Sequence, residues 1–216
     1  MKRKWYLLGF LFQSVIGLPL AAIAAPNGWY GTFTAGVSSY GNSQNDEKNI
    51  ESQLAHYGIQ SVASVNDNPA GLGLGVGYRF NDYFALEGNY MDLGTATATI
   101  NVTSPPIFTI KEDIRAKGET LDFLGFIPVS QSVQLFGKLG VFDYSLDETL
   151  NSNIPVPLTN NSANGTTYDF GIGVDIRFTG HVGLRAGLTQ YYRVGNQNTT
   201  GQENIGLAYA QLVFNF

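Results

Sequence analysis

Two histidines are the residues of this 216-residue chain that could serve as acid–base catalysts, and the chain contains no cysteine. A histidine-based hydrolase pairs the imidazole with a nucleophilic serine and an acid. Neither His56 nor His181 has a serine two residues on, and no such cluster falls on a shared face. The lack of cysteine excludes a disulfide framework and a thiolate metal site. The sequence therefore predicts no enzymatic activity and no cofactor.

Carboxylates between the apolar segments are the other candidate ligands. They are Asp46, Glu47, Asp67, Asp147 and Glu148. Calcium loops bring such oxygens together at a fixed short spacing, which these residues do not have. We interpret them as solvated loop charges, and we predict no metal site.

A third group of charged residues recurs inside segments with an alternating pattern. Its members are Arg79, Glu87, Asp122, Lys138, Asp169, Asp175, Arg177, Arg185 and Arg193. They are few and mixed in sign, as a self-neutralising interior requires, because buried charges must be paired. Two interpretations stay open: a satisfied internal network that rigidifies the fold, or a path for ions or small solutes.

The elements that must position these charges are strands. In "YDFGIGVDIRF" (168–178) every second residue is apolar, which predicts a strand with two unlike faces. Similar runs predict eight strands, at 29–39, 72–80, 84–102, 107–128, 133–147, 166–178, 182–194 and 204–216. Short turns alternate with long polar connections, which is typical of an up-and-down antiparallel barrel in an outer membrane. "NDEKNIESQLAHYG", in the first long loop, predicts a short helix with Asp46 as its cap and Gly58 at its end. This helix could be an external recognition element or a lid over the barrel mouth.

Which face points inward is not decided by alternation, since a soluble barrel of the lipocalin type alternates as well. Three glycines on the polar face, Gly73, Gly75 and Gly77, favour a polar lumen, because a narrow interior needs small residues. Only 13% of residues are charged, against about 25% in soluble domains. Aromatic residues near strand ends fit interfacial girdles: Trp29, Tyr78, Phe80, Phe84, Phe178, Tyr192, Phe214 and Phe216. We therefore predict an all-β, eight-stranded transmembrane barrel with its apolar face in lipid.

The N-terminus has the layout of an export signal. A basic start precedes an apolar run to about Leu20, with small residues at Ala22 and Ala24, which predicts cleavage after Ala24 and a barrel domain over 25–216. The mature chain keeps nine Lys and Arg against seventeen Asp and Glu. Such an acidic chain is a poor candidate for nucleic-acid binding.

The last residues, "LAYAQLVFNF", continue the alternation to the end of the chain, with Leu212, Phe214 and Phe216 on the apolar face. A spanning sheet has to pair all its backbone groups, so the barrel must close. The last strand is therefore predicted to pair with the first.

Residues 75–94, "GVGYRFNDYFALEGNYMDLG", strongly resemble the second and third strands of the OmpA-like transmembrane domain family. "LFGKLGVFDYSLD" and "GLAYAQLVFNF" resemble its fifth and eighth strands. The resemblance implies a bacterial outer-membrane location among lipids and lipopolysaccharide. It also implies periplasmic chaperones, and insertion machinery that reads Leu212, Phe214 and Phe216 as a C-terminal signature. Glu87 and Arg185 match one lumen pair of the family, and Asp175 matches the acid of a second.

The sequence departs from that family in two places. Where the lysine of the second pair would align, it has Leu124, so a charge-swap gate is not carried over. Many members continue into a peptidoglycan-binding domain, and this sequence stops at Phe216. We expect a structural role in envelope integrity and loop presentation. The alternatives are a small pore, and an adhesin or receptor acting through the loops at 40–68 and 149–165. The sequence gives no oligomeric state.

Overall fold

The computed structural model describes residues 27–41, 43–155 and 157–216, with the side chains of 43–47, 49 and 50 left aside. The predicted signal peptide over 1–24 lies outside these ranges. Within them the elements are β1 (Gly28–Tyr40), α1 (Ser43–His56), β2 (Ser61–Asn66), β3 (Ala70–Arg79), β4 (Phe84–Val102), β5 (Phe108–Pro128), β6 (Val133–Ser152), β7 (Asn161–Arg177), β8 (Val182–Asn196) and β9 (Gly201–Asn215).

Eight of these strands form a closed ring. Apart from β2, every strand pairs antiparallel with the neighbours that precede and follow it in the chain, and β9 pairs with β1. The short turns at 80–83, 129–132 and 178–181 lie at one end of the ring. The predicted eight-stranded up-and-down barrel is confirmed. Of the described residues, none forms a helix long and apolar enough to cross a membrane.

The opposite end of the barrel carries more sheet than the alternation predicts. β4, β5 and β6 have 19 to 21 residues, about twice the length that a spanning strand needs. The strand β2, inside the predicted first loop, pairs with the outer end of β4, with Ala63 opposite Ile100. β7 begins at Asn161 instead of 166. At these outer ends many side chains on both faces are partly exposed, so the sequence there shows no clean alternation.

The predicted helix in the first loop is present, but it begins at Ser43 instead of after Asp46. The predicted cap at Asp46 is therefore wrong. The end is as predicted: Gly58 has φ 76°, and the N–H groups of Tyr57 and Ile59 both donate to the carbonyl oxygen of Leu54. A left-handed residue at this position ends a helix, and glycine adopts it without steric cost.

The two faces of the barrel are inverted relative to a soluble protein. Leu74 and Ile172 are 64% and 68% exposed on the outside, whereas Arg185 is 2% exposed in the lumen. An apolar surface of this extent is stable only against lipid or another protein. The apolar face therefore points outward, as predicted. Trp29, Tyr78 and Phe80 pack edge to face at the short-turn end, with ring centroids 5.2 and 5.3 Å apart.

The closing seam lies between the first and last strands. Leu212 pairs with Phe33 on one side and with Leu184 on the other. The Phe216 N–H donates to the Trp29 carbonyl oxygen over 3.1 Å. β9 is thus hydrogen-bonded along both edges, as a sheet that crosses a membrane requires.

Candidate functional site

The register of the sheet places the charged side chains in two adjacent layers of the lumen. In one layer, Asp122 and Asp169 both lie opposite Gly140, on either side of β6. In the layer nearer the short turns, Asp175 lies opposite Arg185. All these positions point inward because they share the parity of the strand pleat.

Arg185 is the centre of the layer nearer the short turns, which we call the Arg185 cluster. Its Nη1 donates to Glu87 Oε2 and to Gln211 Oε1, each over 2.7 Å, and its Nε donates to Asp175 Oδ2 over 3.2 Å. The Tyr30 hydroxyl donates to the same Glu87 oxygen over 2.9 Å. A guanidinium with two carboxylate partners is well compensated for the loss of water.

The second layer, the Lys138 cluster, contains two acids for one base. Lys138 Nζ lies 3.1 Å from Asp122 Oδ2 and 3.0 Å from Asp169 Oδ1. The Thr120 hydroxyl also donates to Asp122 Oδ2, over 2.9 Å. Gly140 leaves room for the two carboxylates: a Cβ there would lie 2.3 Å from Asp122 Oδ1.

A buried amide connects the two clusters. Asn89 Nδ2 donates to Glu87 Oε1 over 3.1 Å and to Asp122 Oδ2 over 3.4 Å. Its own carbonyl oxygen accepts from the Thr32 hydroxyl. The polar groups thus form one network, in which changes at one cluster are expected to affect the other.

Two further arginines occupy the lumen at the short-turn end. Arg79 donates to Gln134 Oε1 over 2.5 Å and lies 4.1 Å above the Phe126 ring. Arg177 Nε lies 3.9 Å from Asp175 Oδ1. Of the nine charged residues predicted to lie in the lumen, eight do so, and their formal charges cancel. They are the carboxylates Glu87, Asp122, Asp169 and Asp175 and the cations Arg79, Lys138, Arg177 and Arg185.

Arg193 is the member of the predicted group that does not lie in the lumen. A bulge between Tyr191 and Val194 lets both of these residues point inward, so Arg193 is exposed outside and has φ 53°. The prediction counted the alternation straight through this bulge, and its assignment of Arg193 to the interior is wrong. A bulge inserts one residue and reverses the parity beyond it.

Sequence reasoning did not select the neutral partners of the network. Tyr30, Asn89, Gln134 and Gln211 are all buried and hydrogen-bonded to charged groups. The sequence feature that could have identified them is an amide or hydroxyl at an inward position of a predicted strand.

Leu124, where the sequence departs from the OmpA-like family, packs in the apolar layer with Phe126, directly opposite Lys138 in the register. The neighbouring strand thus supplies a lysine to the lumen.

Apolar layers enclose the network on both sides. Tyr30, Leu124, Phe126, Phe136 and Val213 pack on the short-turn side. Met91, Phe142, Tyr191 and Leu207 pack on the long-loop side. The cavity between the two clusters measures about 20 Å³, which accommodates a single water molecule. The interior is filled by side chains, as expected for eight strands.

The histidines and loop carboxylates lie apart from this network. His56 ends α1, and His181 lies in a short turn, both exposed. Asp67 is buried beside Asn68, which donates to it, so its interpretation as a solvated charge is wrong. Asp147 lies on β6, 3.9 Å from Lys117. Asp46 and Glu47 have side chains outside the described set. In the part of the chain that the structure describes, no three His, Cys, Asp or Glu residues are arranged to hold a metal ion.

The long-loop mouth carries a small acidic group beyond the membrane-spanning part of the strands. Burial raises the pKa of Glu112, and the nearby carboxylates of Glu148 and Glu203 raise it further. A raised pKa in the folded state means that this group stabilises the mouth most below the ordinary pKa of glutamate. That contribution is lost as the pH rises through the raised pKa.

We therefore expect the β5–β6 pairing at the mouth to loosen as the pH rises from below the ordinary pKa of glutamate through the raised pKa of Glu112. The amides of residues 110–114 should lose hydrogen-exchange protection over this range, after correction for intrinsic exchange. Glu112→Gln should remove most of the dependence, since it deletes the charge. The amides of residues 121–126, lower on β5, are the internal control. An unchanged pH profile in the variant would show that Glu112 is not responsible.

Comparison with known proteins agrees with this architecture. The model of the outer membrane protein beta-barrel domain matches residues 8–210. Among solved structures, Neisserial surface protein A shares 12% identity over 87% of this chain and 97% of its own, with TM-score 0.52. OprG from Pseudomonas aeruginosa shares 16% over 90% and 99%, with TM-score 0.49. The comparison with curated protein sequences gives no match. Since the family model covers nearly the whole chain, the chain belongs to the outer membrane protein beta-barrel family.

Proposed function

We propose that this protein is a structural outer-membrane barrel with a closed lumen, which contributes to envelope integrity and presents its loops outside the cell. The observation that carries the proposal is the continuous internal network around Arg185 and Lys138, with apolar layers on both sides. Such an interior gives mechanical rigidity and leaves no water-filled path.

Opening a path would be costly. An ion crossing the barrel would have to displace Arg185 from Glu87 and Asp175, and separating a buried charge from its partners costs several kcal/mol. It would also have to part the Phe126 and Phe136 rings, whose centroids lie 6.2 Å apart. The pore alternative therefore has no support from the geometry of the lumen.

Single-channel conductance of residues 25–216, refolded into a planar bilayer, tests the closed lumen. We expect no conductance steps from protein whose folded state is verified by its shifted gel band before heating. Lys138→Ala, which shortens one lumen side chain, is measured in parallel. Reproducible steps from the wild type that change in this variant would overturn the proposal and favour a small pore.

Export and insertion belong to the same proposal. The signal over residues 1–24 would direct the chain out of the cytoplasm, with periplasmic chaperones in transit. Leu212 and Phe214 face outward on β9, and Phe216, directly after this strand, is exposed as well, so insertion machinery could read all three. We propose no catalytic role, because His56 and His181 lie at opposite ends of the barrel.

Surface recognition is the second candidate function, and the protruding sheet favours it. β4, β5 and β6 continue well beyond the membrane, and their outer face carries charged residues such as Lys111 and Asp113. Replacing residues 43–66 by a short flexible linker should then abolish binding to host cells or phage while the shifted gel band remains. Unchanged binding would exclude this loop as the recognition element.

A further inference from the structure

A groove runs down the outside of the barrel beside the closing seam. Three successive levels of outward residues on β8, β9 and β1 have small residues on β9. In the order β8, β9, β1, the three levels are Gln190–Gly206–Ser39, Leu188–Ala208–Val37 and Ala186–Ala210–Ala35. From Gly206 to Ala210 this depression is about 13 Å long, at about 3.3 Å per residue.

The upper part of the groove has large apolar walls. Phe170 and Ile172 on β7 form one side, and Val37 on β1 forms the other, around a volume of about 500 Å³. Gln190, Ser39 and Asn68 give its long-loop end a polar rim. An open apolar groove of this shape on a lipid-facing surface fits a flexible hydrocarbon chain.

The side chain of Arg193 lies beyond the polar rim of the groove. The bulge on β8 turns Arg193 outward, three residues past Gln190, with φ 53°. Its N–H donates to Asn204 Oδ1 over 2.8 Å and its Nε to Gln202 Oε1 over 3.1 Å, both neutral partners. By contrast, the exposed Lys111 pairs with Asp113. A non-glycine residue in the left-handed region is strained, and such strain is concentrated at functional positions.

The depth of Arg193 matches the lipid headgroups. Arg193 follows Val182, the first residue of β8, by eleven residues, and a tilted strand crosses the hydrocarbon layer in about 9–11 residues. Tyr168 and Tyr192 are exposed next to it, as expected of an interfacial girdle. Because the long loops face outward, this is the outer leaflet, and the groove lies in its hydrocarbon.

We propose that the groove and Arg193 form a binding site for lipid A, the phosphorylated and acylated disaccharide of lipopolysaccharide. One acyl chain fills the groove over Gly206 and Ala208, and a phosphate binds the Arg193 guanidinium, whose planar fork matches phosphate oxygens. Gln190 and Asn68 are placed to hydrogen-bond the sugar. The site is on the outside of the barrel, so it does not depend on whether the lumen conducts.

Three variants test this site. Gly206→Leu fills the groove without a backbone clash, since a Cβ there has its nearest atom at 3.7 Å. Arg193→Gln removes the charge. The matched control is Gly125→Leu on β5, an outward glycine with open space around it. Each refolded protein is titrated in detergent with purified bisphosphorylated lipid A, dephosphorylated lipid A or phosphatidylglycerol, and bound lipid is counted by native mass spectrometry.

We expect Gly206→Leu and Arg193→Gln each to weaken binding of bisphosphorylated lipid A about tenfold, and Gly125→Leu to leave it unchanged. The wild type should prefer bisphosphorylated lipid A to both other lipids. If the wild type, Gly206→Leu and Arg193→Gln bind bisphosphorylated lipid A equally, the proposal is overturned. Phosphatidylglycerol binding as tightly as lipid A, or no loss on dephosphorylation, would overturn the assignment to lipid A.

Discussion

Replacing Glu87 by alanine is expected to lower the free energy of unfolding of the barrel by about 3–5 kcal/mol. Glu87 Oε2 accepts from Arg185 over 2.7 Å and from the Tyr30 hydroxyl over 2.9 Å, and its Oε1 accepts from Gln211 over 3.1 Å. The variant leaves a buried guanidinium with one carboxylate fewer and leaves the Tyr30 hydroxyl without an acceptor. Both losses act on the folded state, where water cannot replace them.

Urea titration of the refolded variant in lipid vesicles, followed by the shifted gel band, measures this effect. Glu119→Ala is the control, since Glu119 is exposed on the outer face of β5. It should leave the unfolding midpoint within the error of the wild type. A Glu87→Ala midpoint equal to that of the wild type would show that Asp175 and Gln211 alone compensate Arg185.

Gly140→Ala should destabilise the barrel by about 1–3 kcal/mol, the usual cost of overpacking. The added methyl group would lie 2.3 Å from Asp122 Oδ1 and 2.6 Å from the Leu121 carbonyl oxygen, both closer than any stable contact. Relief of the clash moves Asp122 away from Lys138, so the ion pair weakens together with the packing.

The control for this variant is on the same strand. Gly137 faces outward, and a Cβ there would have its nearest atom, the Gly171 carbonyl oxygen, at 3.9 Å. Gly137→Ala should therefore be neutral in the same urea titration. If the two variants unfold at the same urea concentration, the space between Asp122 and Asp169 is not limiting.

The fold was largely predictable because lipid imposes one rule on every spanning strand. Alternating residues such as Leu72, Leu74 and Val76 must be apolar wherever the sheet touches lipid, so the eight strands are visible in the sequence. Past the membrane this rule no longer applies. The strand β2 and the outer ends of β6 and β7 carry polar residues on both faces, and only the register reveals them.

The site was predictable in composition but not in pairing. Parity alone assigns Glu87, Asp122 and Lys138 to the lumen, since each occupies an inward position. Which acid meets which base depends on the stagger between strands across the barrel, because Glu87 on β4 reaches Arg185 on β8. Stagger leaves no trace in the alternation. The bulge at Arg193 has no signal in the sequence either, because the residue with the left-handed φ of 53° is an arginine and not a glycine.

The seam between β1 and β9 also determines when folding can finish. Phe33 and its partner Leu212 lie far apart in sequence, and contacts so distant in sequence form slowly because loop closure costs entropy first. Until then a partly assembled sheet has two free edges, and free edges are templates for aggregation. The time between synthesis of β1 and closure of the seam is therefore the period in which this chain most needs protection from its own copies.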